Sequence, residues 1–197
     1  MERTYKEQIV TTSTGRKIWI YDDVFTYQER TGFYEQAQHS FFRIRGSDND
    51  ILEYKEHVSV VSMYHVNDVQ QMGIYDLIPE EIRKKHHMTY ENIDDTMINM
   101  VTPSDRFHVH VDNDSEHGRT FVYYMNVNWD VEWGGDTLFL DEEGKNIEFC
   151  SQFKPGRFIL FDPKIPHMIR PSTVLAPHFR FSLASKFIPH LLEKPKW

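Results

Sequence analysis

Short apolar runs, separated by turn-forming residues, follow one another through the second half of the chain. Alternation with a period of two is typical of strands with one buried face, and continuous short runs are typical of strands buried on both faces. The predicted strands are Met97–Thr102, Phe107–Val111, Thr120–Val127, Thr137–Leu140, Ile147–Phe149, Arg157–Phe161 and Phe179–Phe187. Several short strands at this spacing favour an antiparallel sandwich or barrel.

The first half of the chain mixes two patterns. Lys17–Ile20 and Val58–Tyr64 predict strands, whereas Tyr27–Ser40 and Pro79–Lys85 predict helices. A proline near the first helical position, followed by acidic residues, is typical of a helix start. The composition of Gly46–Asp50 predicts a loop. Helices first and strands later indicate helices packed on one face of a β-core.

One predicted strand, Thr120–Val127, carries large apolar side chains on both faces. Its two faces hold Phe121, Tyr123 and Met125 on one side, and Val122 and Tyr124 on the other. A strand of this kind is buried on both sides. We therefore expect one face to pack under the N-terminal helices while the other face lines a pocket.

Composition narrows the function classes. A chain of 197 residues with 40% hydrophobic residues can bury the core of one domain. The net charge of −8 disfavours nucleic-acid and anionic-membrane partners, because both require a basic surface. A single cysteine, Cys150, excludes an internal disulfide and a multi-cysteine zinc site. The start of the chain has no apolar signal segment and no run is long enough to span a membrane, so we expect a cytoplasmic protein.

The 11 histidines include candidates for a metal site. His86 and His87 lie at a charged helix end and are predicted to be solvated. His110 and Asp112 are two residues apart, so on a strand both side chains project from the same face. His167 is a candidate third ligand, since two histidines and one carboxylate form the facial triad of non-haem iron oxygenases.

Each part of this metal pattern also has an ordinary explanation. A histidine next to an acid is common by chance, and His110 could be a hydrogen-bonded strand histidine. His108 precedes it by two residues on the same predicted face and is an alternative ligand. Asp114 could replace Asp112, and His167 could belong to a loop.

A later strand adds a positive charge. Arg180, Ser182 and Ala184 share one face of the predicted strand Phe179–Phe187. An arginine on the inward face of an apolar strand is costly unless it meets an anion, and its planar guanidinium suits a carboxylate. An internal salt bridge and an edge-strand surface arginine are the alternatives.

The order of these residues resembles the Fe(II)/2-oxoglutarate-dependent dioxygenases, and in particular their prolyl 4-hydroxylase-like branch. The resemblance covers about residues 97 to 187. It rests on His110-Val111-Asp112, Tyr123-Tyr124-Met125-Asn126, Trp133-Gly134-Gly135-Asp136-Thr137-Leu138, Gly156-Arg157-Phe158-Ile159-Leu160-Phe161-Asp162, His167 and Arg180.

The resemblance implies a mainly β fold with a double-stranded β-helix (jelly-roll) core and N-terminal α-helices packed on one sheet. It implies one domain over residues 1–197, with 1–96 as support and 97–187 as the core. It also implies that three catalytic residues bind Fe(II), and that a second group holds the distal carboxylate of the cosubstrate 2-oxoglutarate. The implied iron ligands are His110, Asp112 and His167, and the implied carboxylate-binding residues are Arg180, Tyr124 and Ser182.

The sequence departs from the family pattern at two places. The segment between His167 and Arg180 is longer than usual, so Arg170 is an alternative carboxylate-binding residue. Met100 or a neighbour stands where this branch often has a tyrosine, and this departure concerns the prolyl substrate more than the iron site.

The expected activity is hydroxylation of a C–H bond with O₂ and 2-oxoglutarate, and the first candidate substrate is a prolyl residue in a peptide. A free amino acid or another small metabolite is the alternative. The segments expected to cover the substrate are Asp48–Lys55, Gln70–His87 and Asp112–Gly118. Two other classes are a non-catalytic jelly-roll binding module and a cupin-type metalloenzyme that needs no 2-oxoglutarate. The oligomeric state is not predicted.

Overall fold

The computed structural model describes residues 3–45 and 59–189. The predicted loop Gly46–Asp50 and the candidate covering segment Asp48–Lys55 lie outside these residues. The strands are β1 Lys6–Thr11, β2 Lys17–Asp22, β3 Arg43–Arg45, β4 Ser59–Met63, β5 Ile93–Val101, β6 Arg119–Tyr124, β7 Thr137–Leu140, β8 Ile147–Ser151, β9 Phe158–Phe161, β10 His167–Ile169 and β11 Arg180–Phe187. The α-helices are α1 Tyr27–His39, α2 Val66–Met72 and α3 Glu80–Lys85.

Two antiparallel sheets carry the fold. In the described residues, the major sheet has the order β1-β2-β9-β6-β11-β5-β4-β3 and the minor sheet has the order β10-β7-β8. One apolar cluster joins the helices to the major sheet, and a second cluster contains residues of both sheets. The prediction of a mainly β jelly-roll with helices on one sheet is therefore confirmed.

Strand β6 has two buried faces, as its pattern predicts. Tyr123 packs against Phe25 and Phe33 on the helical side, with ring centroids 5.1 and 6.0 Å apart. Tyr124 points the other way and stacks on Phe153, with centroids 4.5 Å apart. The strand thus separates the helix-supported core from the space between the two sheets.

Helix α1 begins where its sequence predicts. Thr26 is the N-cap, and the Glu29 side chain completes a capping box by accepting from the Thr26 backbone N–H. Phe33 and Ala37 are its buried residues and face the helix-side core. Burial of this one stripe fixes the helix on the major sheet.

Two predictions fail in the structure. Phe107–Val111 is not a strand: in this stretch only His110 forms a bridge, and its partner is His167. His86 is buried rather than solvated, with its Nε2 atom 2.9 Å from the hydroxyl of Tyr21. Burial lowers the pKa of His86 to about 3, so this ring is neutral within the core.

The division at residues 96–97 falls inside β5, and strands from both parts pair within the major sheet. The single-domain organisation stays a prediction. In the part of the chain that is described, none of the helices combines the length and apolar character that a membrane crossing requires.

An ion pair fixes β2 to the turn before β9. Asp22 accepts from Arg157 Nε at 2.8 Å and from Arg157 Nη2 at 2.9 Å, and Lys154 Nζ lies 2.9 Å from Oδ2. Burial alone would raise the pKa of Asp22, but the hydrogen bonds from Arg157 and Lys154 lower it overall.

We expect Asp22→Asn to lower the free energy of unfolding by about 2–3 kcal/mol, because it weakens a charge-assisted pair. A carboxyl whose pKa is depressed on folding stabilises the protein above its unfolded pKa of about 3.9, and the contribution disappears as pH falls below that value. Urea denaturation at several pH values measures both effects. Asp23→Asn is the control, because the Asp23–Lys6 pair is exposed. Equal unfolding free energies for Asp22→Asn and wild type at neutral pH would contradict the expectation.

Candidate metal and carboxylate site

Three predicted ligand side chains meet at one point. One ligand atom from each of His110, Asp112 and His167 lies within 4.8 Å of the other two. His167 Nε2 is 3.6 Å from Asp112 Oδ2, and the His110 and His167 ring centroids are 4.4 Å apart. The loop after β5, rather than the predicted strand, therefore places His110 and Asp112 near His167.

Backbone pairing explains how a loop can place these ligands. His110 and His167 exchange backbone hydrogen bonds of 3.0 and 2.9 Å, which anchors the loop to β10. The Asp112 N–H donates to the carbonyl of Pro163 at 2.9 Å, which holds the loop a second time. One isolated bridge and one hydrogen bond replace a continuous strand ladder.

Both imidazoles are oriented for metal binding. His110 Nδ1 lies 3.0 Å from the carbonyl of His108, and His167 Nδ1 lies 2.9 Å from the carbonyl of Ile165. A carbonyl oxygen only accepts, so each Nδ1 must donate its N–H and each Nε2 keeps its lone pair. This arrangement is typical of histidine ligands.

Electrostatics keep the cluster in its ligating protonation state. Burial lowers the pKa of His167 to about 4, which leaves the imidazole neutral at neutral pH. Burial alone would raise the pKa of Asp112, but His167, Lys186 and the hydroxyl of Thr120 lower it overall. A neutral imidazole and an ionised carboxylate are the forms that bind a divalent metal.

A second feature of the site is the buried guanidinium of Arg180. Its Nε donates to the carbonyl of Gly135 at 2.7 Å, and its Nη1 donates to Ser182 Oγ at 2.9 Å. The guanidinium carbon lies 4.7 Å from the Phe153 ring centroid and 5.4 Å from that of Tyr124. Two aromatic faces and two neutral acceptors therefore surround the charge.

The remaining nitrogen of Arg180 indicates an anion site. Arg180 has 0% exposure, and its Nη2 atom has no hydrogen-bond partner among the described residues. No described carboxylate forms an ion pair with it. Burial lowers the pKa of Arg180 to about 10, so the group is still charged at neutral pH. A buried cation with an unused donor fits a carboxylate ligand.

Gly135 makes room for Arg180. Its φ of +84° is a conformation that glycine adopts freely, and an added Cβ would lie 3.0 Å from Arg180 Cδ and 3.2 Å from Nε. The same residue offers the carbonyl that accepts from Nε. The Gly-Gly turn of the sequence motif thus positions the guanidinium.

We expect Gly135→Ala to weaken binding of a dicarboxylate by about 10-fold. The added methyl group displaces the Arg180 side chain, and a loss of about 1.4 kcal/mol in binding free energy changes the dissociation constant tenfold. Isothermal titration calorimetry with 2-oxoglutarate measures the change. Gly15→Ala is the control, because Gly15 has a φ of +83° but an added Cβ there meets nothing within 4 Å. Equal loss of binding in both variants would show that backbone strain, not contact with Arg180, is responsible.

The two other predicted carboxylate-binding residues lie beside Arg180. Ser182 is buried and accepts from Arg180, so its own hydroxyl proton can point to a ligand. The Tyr124 hydroxyl is buried and donates to Thr137 Oγ1 at 2.9 Å. Tyr124 therefore has to turn its donor away from Thr137 to bind a carboxylate.

The alternative residues lie elsewhere. Arg170 is exposed, whereas Arg180 is fully buried. Neither His108 nor Asp114 belongs to the cluster whose ligand atoms approach one another. In the described residues the geometry therefore favours His110 and Asp112 as metal ligands and Arg180 as the carboxylate-binding residue.

Sequence reasoning missed two residues that contact Asp112. The Thr120 hydroxyl donates to Asp112 Oδ2 at 2.5 Å, and Lys186 Nζ lies 3.5 Å from Oδ1. The period of two that places Arg180 and Ser182 on one face also places Lys186 there, so the sequence contained a signal for it. For Thr120 it contained none.

A protein-family model matches the part of the chain that contains the metal cluster and Arg180. Residues 96–187 match the model described as the 2OG-Fe(II) oxygenase superfamily. Residues 96–187 are called the oxygenase segment below. The family uses Fe(II), 2-oxoglutarate and O₂. The oxygenase segment begins within β5 and ends with β11, and it therefore includes every predicted site residue.

Curated proteins similar to this chain include prolyl hydroxylases. The prolyl hydroxylase EGLN3 of Mus musculus is 39% identical over 69 residues, which are 32% of this chain and 28% of that protein. The human protein of the same name matches with the same identity and coverage. The chain thus matches less than a third of the length of these relatives.

Solved structures share the fold across nearly the whole chain. A Trichoplax adhaerens prolyl hydroxylase, solved with a hypoxia inducible factor peptide fragment, has a TM-score of 0.56 at 16% identity and covers 95% of this chain and 87% of its own. A Pseudomonas putida prolyl-4-hydroxylase has a TM-score of 0.54 at 13% identity, with 94% and 93% covered. At these identities the likeness establishes the double-stranded β-helix fold alone.

Proposed function

We propose that this chain is a Fe(II)- and 2-oxoglutarate-dependent dioxygenase that hydroxylates a C–H bond, with a prolyl residue in a peptide as the first substrate class. The observation that carries the proposal is the unused Nη2 donor of the buried Arg180 in the same fold as a His-Asp-His cluster. A metal cluster alone fits many enzymes, but a buried cation without a counter-ion calls for an anionic cosubstrate. The match of residues 96–187 to the 2OG-Fe(II) oxygenase superfamily model supports the same conclusion.

In this proposal His110, Asp112 and His167 hold the iron. The two Nε2 lone pairs and the Asp112 carboxylate provide three ligands, and a facial triad leaves the other coordination positions open. Thr120 fixes one oxygen of Asp112, which limits rotation of the carboxylate. Removal of such supporting partners commonly costs about 10–100-fold in metal affinity or activity.

Arg180, Ser182 and Tyr124 hold the distal carboxylate of 2-oxoglutarate. Arg180 offers Nη2, Ser182 offers its hydroxyl proton, and Tyr124 offers its donor after turning from Thr137. Gly135 keeps the guanidinium in place through its carbonyl. A ligand bound there neutralises the arginine and replaces the missing counter-ion.

The residues that would hold the iron and the cosubstrate line one apolar cluster between the sheets. His167 packs on Phe161 with ring centroids 4.7 Å apart, and Arg180 packs on Phe153, and both phenylalanines belong to the same buried cluster. These rings exclude water and strengthen the electrostatic contacts. When bound, Fe(II), 2-oxoglutarate and O₂ supply the oxidising chemistry, which converts 2-oxoglutarate to succinate and CO₂ as the substrate is hydroxylated. The protein supplies position and a dry environment.

The peptidyl-prolyl substrate class rests on the similarity to prolyl hydroxylases. A free amino acid or another small metabolite is the alternative substrate class. We also propose that residues 1–197 form one domain, since strands of the first 96 residues pair in the same major sheet as those of the oxygenase segment.

The test is a screen for succinate release with Fe(II) and 2-oxoglutarate over proline-containing peptides and free amino acids. We expect succinate release to require iron, and we expect at least one proline-containing compound to stimulate it. A non-catalytic binding module would release no succinate under any of these conditions. A metalloenzyme of the cupin type would bind metal but show no dependence on 2-oxoglutarate.

A further inference from the structure

Lys186 projects toward the metal cluster from strand β11. It shares the inward face of the strand with Arg180, Ser182 and Ala184, since side chains two residues apart point the same way. Its cross-strand neighbours are Thr120 on β6 and Asp95 on β5. A lysine on a face that otherwise lines the site requires an explanation.

The contacts of Lys186 leave its donors largely unused. Its Nζ lies 3.5 Å from Asp112 Oδ1, and no other described carboxylate lies within ion-pair distance of it. This distance is too long for a strong hydrogen bond, and the ammonium forms none with the described residues. Lys186 therefore has up to three N–H donors for a ligand.

The charges of the proposed complex leave Lys186 without a counter-ion. A bound divalent metal and Arg180 carry three positive charges, and Asp112 and doubly ionised 2-oxoglutarate carry three negative charges. Asp112, the present partner of Lys186, would then be shared with the metal. Among the described residues, Asp95 lies opposite Lys186 on β5 but forms no ion pair with it, so the ammonium is the one uncompensated charge among the groups counted.

The space above Lys186 is accessible. Its side chain is 26% exposed, so it reaches the surface as well as the metal cluster. Asp95, Met97 and Ala184, which share this face of the sheet, are each half-buried. A ligand can therefore approach the ammonium and the metal from the same side.

We infer that Lys186 binds a carboxylate of the substrate that is oxidised, and that it makes the enzyme select acidic over neutral substrates. This inference rests on the proposed function. The carboxylate has two sources, the main-chain carboxylate of a free amino acid and the side chain of an acidic residue in a peptide. Lys186 is thus a specificity residue of the proposed reaction.

Calorimetry on protein loaded with Zn(II) and 2-oxoglutarate tests this inference without turnover. L-Proline against L-prolinamide tests the free amino acid, and a peptide with Pro-Glu against the same peptide with Pro-Gln tests the acidic residue. We expect the carboxylate member of one pair to bind at least 10-fold more tightly than its amide. The pair that shows the preference identifies the source of the carboxylate.

Lys186→Met should abolish this preference, and Lys186→Arg should retain most of it. Lys145→Met is the control, because Lys145 is 73% exposed and pairs with Glu143. Equal affinity for acid and amide in both wild-type pairs would overturn the inference, as would a preference that survives in Lys186→Met. If Lys186→Met does not bind Zn(II) and 2-oxoglutarate, the affinities of the wild-type protein for acid and amide alone decide whether the inference stands. Binding of Zn(II) and 2-oxoglutarate to the wild-type protein is measured before any substrate is added. If neither binds, the proposed function is overturned instead.

Discussion

His110→Ala is expected to abolish 2-oxoglutarate turnover and to lower Fe(II) affinity by more than about 100-fold, since loss of a mere supporting partner already costs about 10–100-fold. One ring nitrogen of His110 belongs to the only set of three ligand atoms that meet in the described residues. His110 is exposed, so its removal leaves no cavity in the core. Anaerobic Fe(II) titration and succinate release measure the two effects.

The control for this experiment is His178→Ala, which removes an exposed histidine outside the cluster. That variant should bind iron and release succinate as the wild-type protein does. Succinate release that is undiminished in His110→Ala would refute the metal assignment. Equal losses in both variants would indicate a general effect on the protein rather than on the metal site.

Arg180→Leu is expected to raise the concentration of 2-oxoglutarate required for half-maximal activity by about 100-fold or more. Truncation of one partner of a buried charge pair costs about 2–5 kcal/mol. The variant removes the one arginine that is fully buried among the described residues, and its Nη2 atom has no hydrogen-bond partner there. Iron affinity should change little, because Arg180 contacts none of the three metal-cluster residues. Titrations of 2-oxoglutarate and of Fe(II) separate the two requirements.

Arg170→Leu is the matched control, because Arg170 is exposed and was the alternative carboxylate-binding residue from sequence. It should leave the 2-oxoglutarate requirement unchanged. A collapse of iron affinity in Arg180→Leu, with an unchanged requirement for 2-oxoglutarate, would show that Arg180 is structural. A large effect of Arg170→Leu would move the carboxylate site to the loop before β11.

Strands with strong alternation or continuous apolar runs were predictable, because their side-chain pattern reflects which faces are buried. The bounds of Thr137–Leu140 agree with β7, and Tyr27–Ser40 differs from α1 by one residue. Phe107–Val111 has the same alternation but is not a strand, since only His110 finds a pairing partner. A local pattern predicts the side-chain faces but cannot show whether a neighbouring strand is available.

A residue of the candidate site could be predicted where a charged side chain lies within an otherwise apolar strand. Arg180 is conspicuous on β11, and the structure buries it fully, with no ion-pair partner in the part of the chain that it describes. His86 was misjudged because its charged neighbours resemble a solvated helix end, whereas the ring packs against Trp19 with centroids 4.7 Å apart. The present hydrogen bond of Tyr124 to Thr137 was not predictable either, since it depends on the position of another strand.

The most direct test of the iron and 2-oxoglutarate site is an anaerobic calorimetric titration of 2-oxoglutarate into the wild-type protein, with and without Fe(II). The proposal predicts one 2-oxoglutarate per chain, bound tightly only when iron is present, because the metal and Arg180 hold opposite ends of the same molecule. Absence of binding to the iron-loaded protein, or equal binding with and without iron, would contradict it.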